Sequence, residues 1–578
     1  MPPRAPRGAR SADALWHVAA AATFWSFGFT PVRGSDLWWH LASGRWIVAH
    51  AAVPTRDPFG YTTTGRPWLD DAWLSDALLY LWTRSVGLES LAYWKWSVIV
   101  LAWLLLFRLL VRLSGSHPSG YVAATFGLAV AAPFLDVRPQ LYAFPCWALV
   151  LTGTVGRRRP AAWVPLVFLA WANLHASFAL GLLTLPLLLA PALLDAAERR
   201  RGLAGGALCV GATLLTPNGI RAAARPLLHA LDPGFRGIAE WLPPFEPGGI
   251  HSWLYPYALG AFAVATLALA VDPERRRAVD TWVAVTIGAL VLAMSLRSRR
   301  FVPFFGMGAT LVLAAALARP GGALRGRVPA LLAPLAALGL AVWWLAPYPR
   351  SSAAFHYLTE DLEFPVDTLD FVEANGLSGN VFAFYGWGGY VDWRTDGRLR
   401  VFIDGRGETA FADETFARYL DVVGRRPGWI DVIERSGADF VLWPKWELAD
   451  VADDLVRTGR WRPLHDDYTS RLLVRTTVPL PATLAAGPES AHRALALGMA
   501  ALLEGRFDQA RQDLERALVL QPDLQPACVA LAQARQLAGD RLGADATAAR
   551  CAAAFPDPKR DRQLAATLQS LRAAPPGR

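Results

Sequence analysis

Between residues 90 and 347 one apolar run follows another, and this succession limits the chain more than any other feature. Crossing a bilayer takes about 20 mainly apolar residues, because every backbone amide must be bonded inside the helix while the side chains meet lipid. Such segments are read at 14–30, 90–112, 119–135, 140–156, 161–175, 177–195, 203–217, 252–271, 279–296, 301–318 and 328–347. A multi-spanning helical membrane protein with about eleven spans is therefore expected. Composition agrees. Hydrophobic residues make up 53% and charged residues only 18%, against about 25% charged in a soluble globular chain. The net charge of +9 does not point to nucleic acid, since the arginines stand in short clusters beside apolar runs.

Those clusters orient the chain. With a cytoplasmic N-terminus, alternate loops should be basic. Arg157-Arg158-Arg159, Arg199-Arg200-Arg201, Arg275-Arg276-Arg277 and the group Arg319, Arg325, Arg327 all fall on that side. The C-terminal part then emerges on the opposite, extracytoplasmic side. The first span is read as retained rather than as a cleaved signal peptide, because no small-x-small site leads into a mature polar start. Cysteine adds little. Cys146 and Cys209 lie in apolar runs and Cys528 and Cys551 in a helical repeat, none with metal-ligand spacing. All four are read as small apolar-like thiols, with no disulfide framework.

The outer face has a different character. Its first loop, 31–89, holds Asp36, His40, Asp57, Asp70 and Asp71. Later outer loops and span ends hold Asp136-Val137-Arg138-Pro139-Gln140, Asn173-Leu174-His175, Glu240-Trp241 and Arg297-Ser298-Arg299-Arg300. Ionisable groups gathered on one face of a membrane point to a polar cavity opening there. The plainer alternative for any one of them is interfacial anchoring. Within the loop, Trp38, Leu41, Arg45 and Val48 share a helical face, which suits a helix lying in the membrane interface. Ser35 or Asp36 would cap it. The turn Gly65-Arg66-Pro67-Trp68 leads to a second amphipathic helix, at whose start Asp70 could also act as a cap.

An Asp directly after the first span, an interfacial helix, a Gly/Pro-rich turn, a second such helix and many further spans resemble the layout of GT-C membrane glycosyltransferases, which use polyprenyl-phosphate sugars. The spacing of Asp36, His40, Asp57-Pro58 and the Gly65 to Trp68 turn is similar to the first outer loop of oligosaccharyltransferase catalytic subunits. The resemblance covers residues 1 to about 350 by layout, and only this loop by motif. It implies an essential acid at Asp36, acting as base as in the protein O-mannosyltransferase branch. Two departures stand out. Where the oligosaccharyltransferase branch has a second paired-acid motif, this chain has Asp136-Val137-Arg138, and the nearest string to that branch's Trp-Trp-Asp-Tyr-Gly motif is Tyr385-Gly386-Trp387-Gly388-Gly389-Tyr390, with no acid inside it.

Sugar transfer from a lipid phosphate needs a base within hydrogen-bond reach of the acceptor hydroxyl. Asp36 is the candidate, with Asp136 as helper or substitute. The departing phosphate needs cations, and arginine forks match its oxygens. Arg138, Arg297, Arg299 and Arg300 are the candidates, with His40, Asp57, Asp70, Asp71, Gln140 and His175 as further substrate contacts. A lone His beside Asn173 is also an ordinary hydrogen-bonding group. No cofactor is expected, and no ligand spacing supports a divalent metal.

Residues 350–478 alternate strand and helix signals. Strands are read at Val381-Phe384, Val401-Ile403, Phe440-Trp443 and Leu472-Val474, with helices near 365–375, 412–424 and 428–436. A small α/β domain follows. Its strings Gly386 to Tyr390 and Asp404 to Glu408 read as turns at strand ends. The functional alternative places Trp387, Tyr390, Asp404 and Arg406 against substrate. A linker, 479–490, leads to a repeat over 491–575. Gly505, Ala510, Ala517 and Pro522 recur as Gly539, Ala544, Cys551 and Pro556, each 34 positions later. This period looks like tetratricopeptide repeats, an α-solenoid that binds protein or peptide.

The expected protein thus has a transmembrane GT-C-like domain over 1–349, an α/β domain and a short repeat array. The leading function is sugar transfer from a polyprenyl-phosphate donor to an extracytoplasmic acceptor. A non-catalytic scaffold for envelope or polysaccharide assembly stays open, as does a polysaccharide ligase or polymerase. The Ala- and Arg-rich composition points to a bacterial inner membrane, with the outer side periplasmic.

Overall fold

The computed structural model describes residues 7–27, 34–157, 160–221, 224, 239–275, 278–318, 331–345, 364–445, 448–522, 524–554 and 558–573. Arg158, Arg159, Arg276, Arg277, Arg319, Arg325 and Arg327 of the basic clusters lie outside these, as does Pro556 of the repeat. The chain forms two compact units. One comprises Met1–Thr30 and Asp70–Ala346, the other Pro31–Leu69 and Pro347–Arg578.

The first unit is helical, and each of the expected apolar segments contains a helix. Leu91–Ser114, Val279–Arg297 and Arg299–Leu317 are long and apolar enough to cross a membrane. Val164–Leu174, Phe178–Leu194, Tyr255–Val271 and Leu332–Trp343 are shorter apolar helices. Large apolar side chains such as Leu166, Leu194, Val264 and Leu267 point outward. An aqueous surface does not tolerate so much exposed hydrocarbon, so this is the lipid-facing surface of a membrane protein. Inside, Trp103, Phe144, Trp147, Phe304 and Phe305 form the core. Helix association in lipid depends on close packing rather than on the hydrophobic effect. Glycines supply it here. A Cβ on Gly127 would meet Gly306 O at 2.8 Å, and one on Gly306 would meet Gly127 O at 2.8 Å. The helices His117–Ala131 and Val302–Leu317 therefore cross backbone to backbone.

The second unit is built on a five-stranded sheet of order β2-β1-β3-β5-β4. Its strands are β1 (Gly379–Ala383), β2 (Leu399–Val401), β3 (Phe440–Pro444), β4 (Trp461–Asp466) and β5 (Ser470–Arg475). β1 runs parallel to β2 and β3, while β5 runs antiparallel to β3 and β4. β4 is a strand that the sequence pattern did not signal, since Arg462, Pro463 and His465 break its alternation.

The first-loop segment 34–69 is part of this same body. Ala42, Phe59 and Trp68 share a core with Phe382, Phe402, Tyr419 and Trp443. Tyr61 N donates to Val401 O at 3.1 Å, Thr62 Oγ1 to Phe402 O at 2.7 Å and Arg400 Nη2 to Gly60 O at 2.9 Å. These bonds cover the β2 edge, which would otherwise present unpaired carbonyls. The interfacial expectation for the first loop helix, Asp36–His50, is thereby corrected. Its apolar face meets protein: Trp38 lies edge-on to Tyr390 at 4.8 Å, and Arg45 stacks over Trp393 at 4.7 Å. Amphipathic spacing reveals an apolar face without saying what covers it.

Five helices follow the linker: Ala491–Leu503, Phe507–Leu520, Gln525–Leu537, Arg541–Ala554 and Pro558–Ala573. Gly505 and Gly539 take φ +76° and +88°, so a left-handed turn recurs at the 34-residue period. Ala510, Ala517 and Ala544 are buried between helices. Asp367 ties this array to the sheet, accepting from His465 Nε2 at 3.1 Å and Ser490 Oγ at 3.3 Å. The reading of four free thiols is corrected here. Cys528 and Cys551 form a disulfide with Cα atoms 5.9 Å apart, and Cys146 and Cys209 are the free ones. The bond closes a separation of 23 residues in a hairpin packed largely through alanine. Replacing Cys551 by serine is expected to destabilise the array by about 3 kcal/mol. Thermal melting of the full chain, with and without reductant, checks this, and a reductant-insensitive melt would contradict it.

Candidate functional site

In the second unit the candidate acids meet very different surroundings. Arg406 and Asp404 have fully enclosed side chains, as does Asp57. Arg406 grips Asp404 through Nε to Oδ1 at 2.9 Å and Nη2 to Oδ2 at 2.5 Å. Its Nη1 donates to Asp57 Oδ1 in a very short bond. Phe59, Trp68 and Phe411 surround the cation at 5.0, 4.8 and 5.5 Å, a favourable setting for guanidinium. Asp57 also accepts from Phe59 N at 3.0 Å, Gly60 N at 3.1 Å and the Thr63 hydroxyl. Burial opposes its charge, but Arg406 and these donors outweigh burial and hold its carboxyl below the usual range. A fourth member, Asp392, is completely buried, and burial followed by the neighbouring Asp404 pushes its carboxyl far above the usual range. The fold therefore favours the protonated form of Asp392. Fully enclosed, Asp57, Asp404 and Arg406 act as a latch between loop and sheet domain.

Tyr390 is buried against Trp38 and Phe364, and Trp387 packs on Phe384 at 5.5 Å. The turn expected at Gly386 to Tyr390 is corrected to the first half of a helix, Tyr385–Thr395. Close approach explains its glycines. A Cβ on Gly388 would lie 2.5 Å from Ile403 O, and one on Gly389 2.8 Å from Trp39 N. Both obstacles are backbone, so Gly388→Ala and Gly389→Ala are each expected to cost about 1–3 kcal/mol. Chemical denaturation of the full chain measures this, and a cost near zero would refute the close packing.

Asp36 differs from these acids. It opens the helix Asp36–His50 and is half-buried. Ser35, not Asp36, is the N-cap residue, and it makes no side-chain capping bond. Capping therefore does not account for the acid at position 36. His40 is buried, its ring 3.5 Å from that of Trp39.

The first unit holds the other candidates. Arg138 Nη1 donates to Glu240 Oε1 at 2.5 Å, and Arg300 stacks over Trp241 at 5.0 Å. Burial disfavours the Glu240 anion, but Arg138 and Arg300 outweigh it and keep the carboxyl below its ordinary range. Arg299 is 1% exposed. Its guanidinium is occupied by the carbonyls of Leu242, Pro243, Glu246 and Gly248 and by His251, so it organises the loop preceding Tyr255–Val271. It also borders a cavity of about 240 Å³ lined by Phe134, Phe245, His251 and Tyr255. Arg297 is exposed and Gln140 half-buried. His175 Nδ1 accepts from Ser177 N at 3.0 Å, the ordinary hydrogen-bonding role. Asp70 is buried, with Oδ1 accepting from Ala72 N at 3.0 Å at the start of Trp73–Val86, and Asp71 is half-buried.

Asp136 Oδ1 accepts from Val137 N at 2.7 Å, and Asp136 is electrostatically coupled to Lys95, a completely buried residue near the start of Leu91–Ser114. Asp76 is likewise completely buried, and burial, then Asp71, raises its carboxyl well above the usual range. The sequence reading named neither Lys95 nor Asp76. Lys95 carried a usable signal, a charge early in an apolar run. Among the described residues, no group of three or more His, Cys, Asp or Glu side chains is arranged to hold a metal ion.

No family model matches the chain, and no curated protein does. Solved structures similar to it include an oligosaccharyltransferase of Archaeoglobus fulgidus tethered with an acceptor peptide containing the NVT sequon. It is 12% identical, at a TM-score of 0.45, with 82% of this chain and 75% of that chain covered. The archaeal oligosaccharyltransferase AglB from the same organism, in complex with an inhibitory peptide and a dolichol-phosphate, is 14% identical at 0.41, with the same coverage. An apo form is 13% identical at 0.42, again covering 82% and 75%.

Proposed function

We propose that this chain is a membrane glycosyltransferase that moves a sugar from a polyprenyl-phosphate-linked donor to an extracytoplasmic acceptor, with Asp36 as general base. The observation that carries the reading is the contrast among the loop acids. Asp57 is sealed in an ion pair, while Asp36 is held at a helix start with its side chain partly accessible. A base must reach the acceptor hydroxyl, and of these two only Asp36 can. Arg138 and Arg300, both next to Glu240, are the candidate cations for a departing phosphate. Asp136, beside Lys95, remains the candidate helper.

The second unit supports an orientation. It contains residues from before and after the stretch Asp70–Ala346, and one folded body lies on one side of a membrane. This supports an even number of crossings in that stretch. Disulfides persist in oxidising compartments, so Cys528–Cys551 supports an extracytoplasmic second unit and a cytoplasmic N-terminus. We place the protein in a bacterial inner membrane, with the helical repeats binding a protein or peptide outside it.

The test is sugar transfer by the purified full-length protein in proteoliposomes, using labelled polyprenyl-phosphate donors. Transfer is expected, and it should vanish in Asp36→Asn. Absence of transfer from every donor would sink the enzyme reading in favour of a scaffold.

A further inference from the structure

The turn Asp404-Gly405-Arg406 is held by ion pairs. Arg406 clasps Asp404 within the turn and Asp57 in the loop segment, all with enclosed side chains. At Gly405 the turn also meets Asp36. A Cβ at position 405 would lie 2.9 Å from Asp36 Oδ1, 3.1 Å from Trp39 Cδ1 and 3.2 Å from Trp39 Nε1. The helix carrying Asp36 cannot readily retreat, because Gly389 already abuts Trp39, with a built Cβ only 2.8 Å from Trp39 N. The Asp36 carboxylate thus stands against glycine backbone at 405, on a helix whose first turn is fixed by glycine backbone at 389. The sequence offers no local reason for glycine at 405, since its φ is not in the left-handed region.

We propose that this turn is the seat of Asp36, with Gly405 supplying the room its carboxylate needs and Arg406 keeping the turn in place. Gly405 and Arg406 are then positioning residues, acting on the reaction through Asp36 rather than by touching substrate. The seat itself is a matter of geometry, and its catalytic consequence rests on the transferase reading. Displacing a reacting group by about 1 Å costs on the order of 100-fold in rate, and a methyl group at 405, 2.9 Å from Asp36 Oδ1, would push the carboxylate from its place.

The experiment uses the full chain in nanodiscs, as wild type, Gly405→Ala and Gly386→Ala, with two readouts. Hydrogen exchange of peptides covering 34–45 reports the seat without reference to activity. Transfer kinetics with a labelled polyprenyl-phosphate sugar report its consequence. Gly405→Ala is expected to speed exchange in 34–45 by about tenfold, with the remainder of the second unit and the melting temperature unchanged. Its kcat should fall about 100-fold with KM preserved. Gly386→Ala, whose Cβ would meet only the Phe384 side chain at 3.4 Å, should leave exchange in 34–45 as in wild type. Wild-type exchange in Gly405→Ala would overturn the proposal, as would faster exchange throughout the second unit, which would make Gly405 merely part of the fold. If wild type transfers no sugar, the enzyme reading falls, and the exchange comparison alone upholds or overturns the seat.

Discussion

Arg406→Met is expected to destabilise the second unit by about 3–5 kcal/mol, the usual consequence of removing one partner from a buried ion pair. Three carboxyl groups surround this single cation: Asp57, Asp404 and Asp392. Without it, Asp57 and Asp404 become buried charges with no counter-ion. The loss should also free the loop segment 34–69 from the sheet, so proteolysis there should accelerate as the melting temperature drops. Arg406→Lys should recover only part of the loss, because one ammonium cannot fork to two carboxylates. A wild-type melting temperature in Arg406→Met would dispose of the latch. Asp392→Asn provides the contrast. The amide imitates a protonated acid, so a change within about 1 kcal/mol is expected below about pH 4, where the carboxyl is neutral in the folded and the unfolded chain. The pH dependence has a definite sign. Unfolded, Asp392 releases its proton near the ordinary value of 3.8, whereas in the fold it keeps it. Wild type therefore loses stability relative to Asp392→Asn as pH rises above about 4. Asp57 works the other way, its contribution disappearing as pH falls below the ordinary carboxylate range.

Asp36→Asn is expected to lower kcat by about 10²–10⁴-fold, the range attributable to a positioned general base. Asparagine keeps the size and a hydrogen-bonding oxygen but cannot accept the acceptor's proton. Because Asp36 is half-buried and outside the Arg406 latch, expression and melting temperature should match wild type. Asp57→Asn should show the opposite profile, with stability falling first and activity only as a consequence. Equal transfer by wild type and Asp36→Asn would remove Asp36 from the centre of the mechanism while leaving the enzyme intact.

Much of the helical unit was legible from residues 90 to 347, because a helix in lipid must display its apolar character along its whole length. The 34-residue repeat was legible for a similar reason. Gly505 and Gly539 must both turn left-handed, and Ala510 and Ala544 must both let helices touch. The candidate site was only partly legible. Asp36, Asp57, Asp404 and Arg406 were recognisable as polar groups worth naming, but their separate duties were not. The partnership of Arg406 with Asp57 spans 349 positions. No periodicity or spacing connects residues so far apart, and although Cys528 and Cys551 are separated by only 23 positions, no local pattern pairs them either. The glycines at 388 and 389 read as a turn because glycine is a poor helix former. What overrode that preference is the nearness of Trp39 and Ile403, which only the folded chain contains. By itself, then, the sequence determined which segments are apolar, which repeat and which ends are charged, since these follow from forces acting within a few turns of chain. The tertiary structure alone decided that the first loop completes the distant α/β domain, and which acids are sealed and which is left accessible, because burial is conferred by neighbours that the chain brings together only on folding.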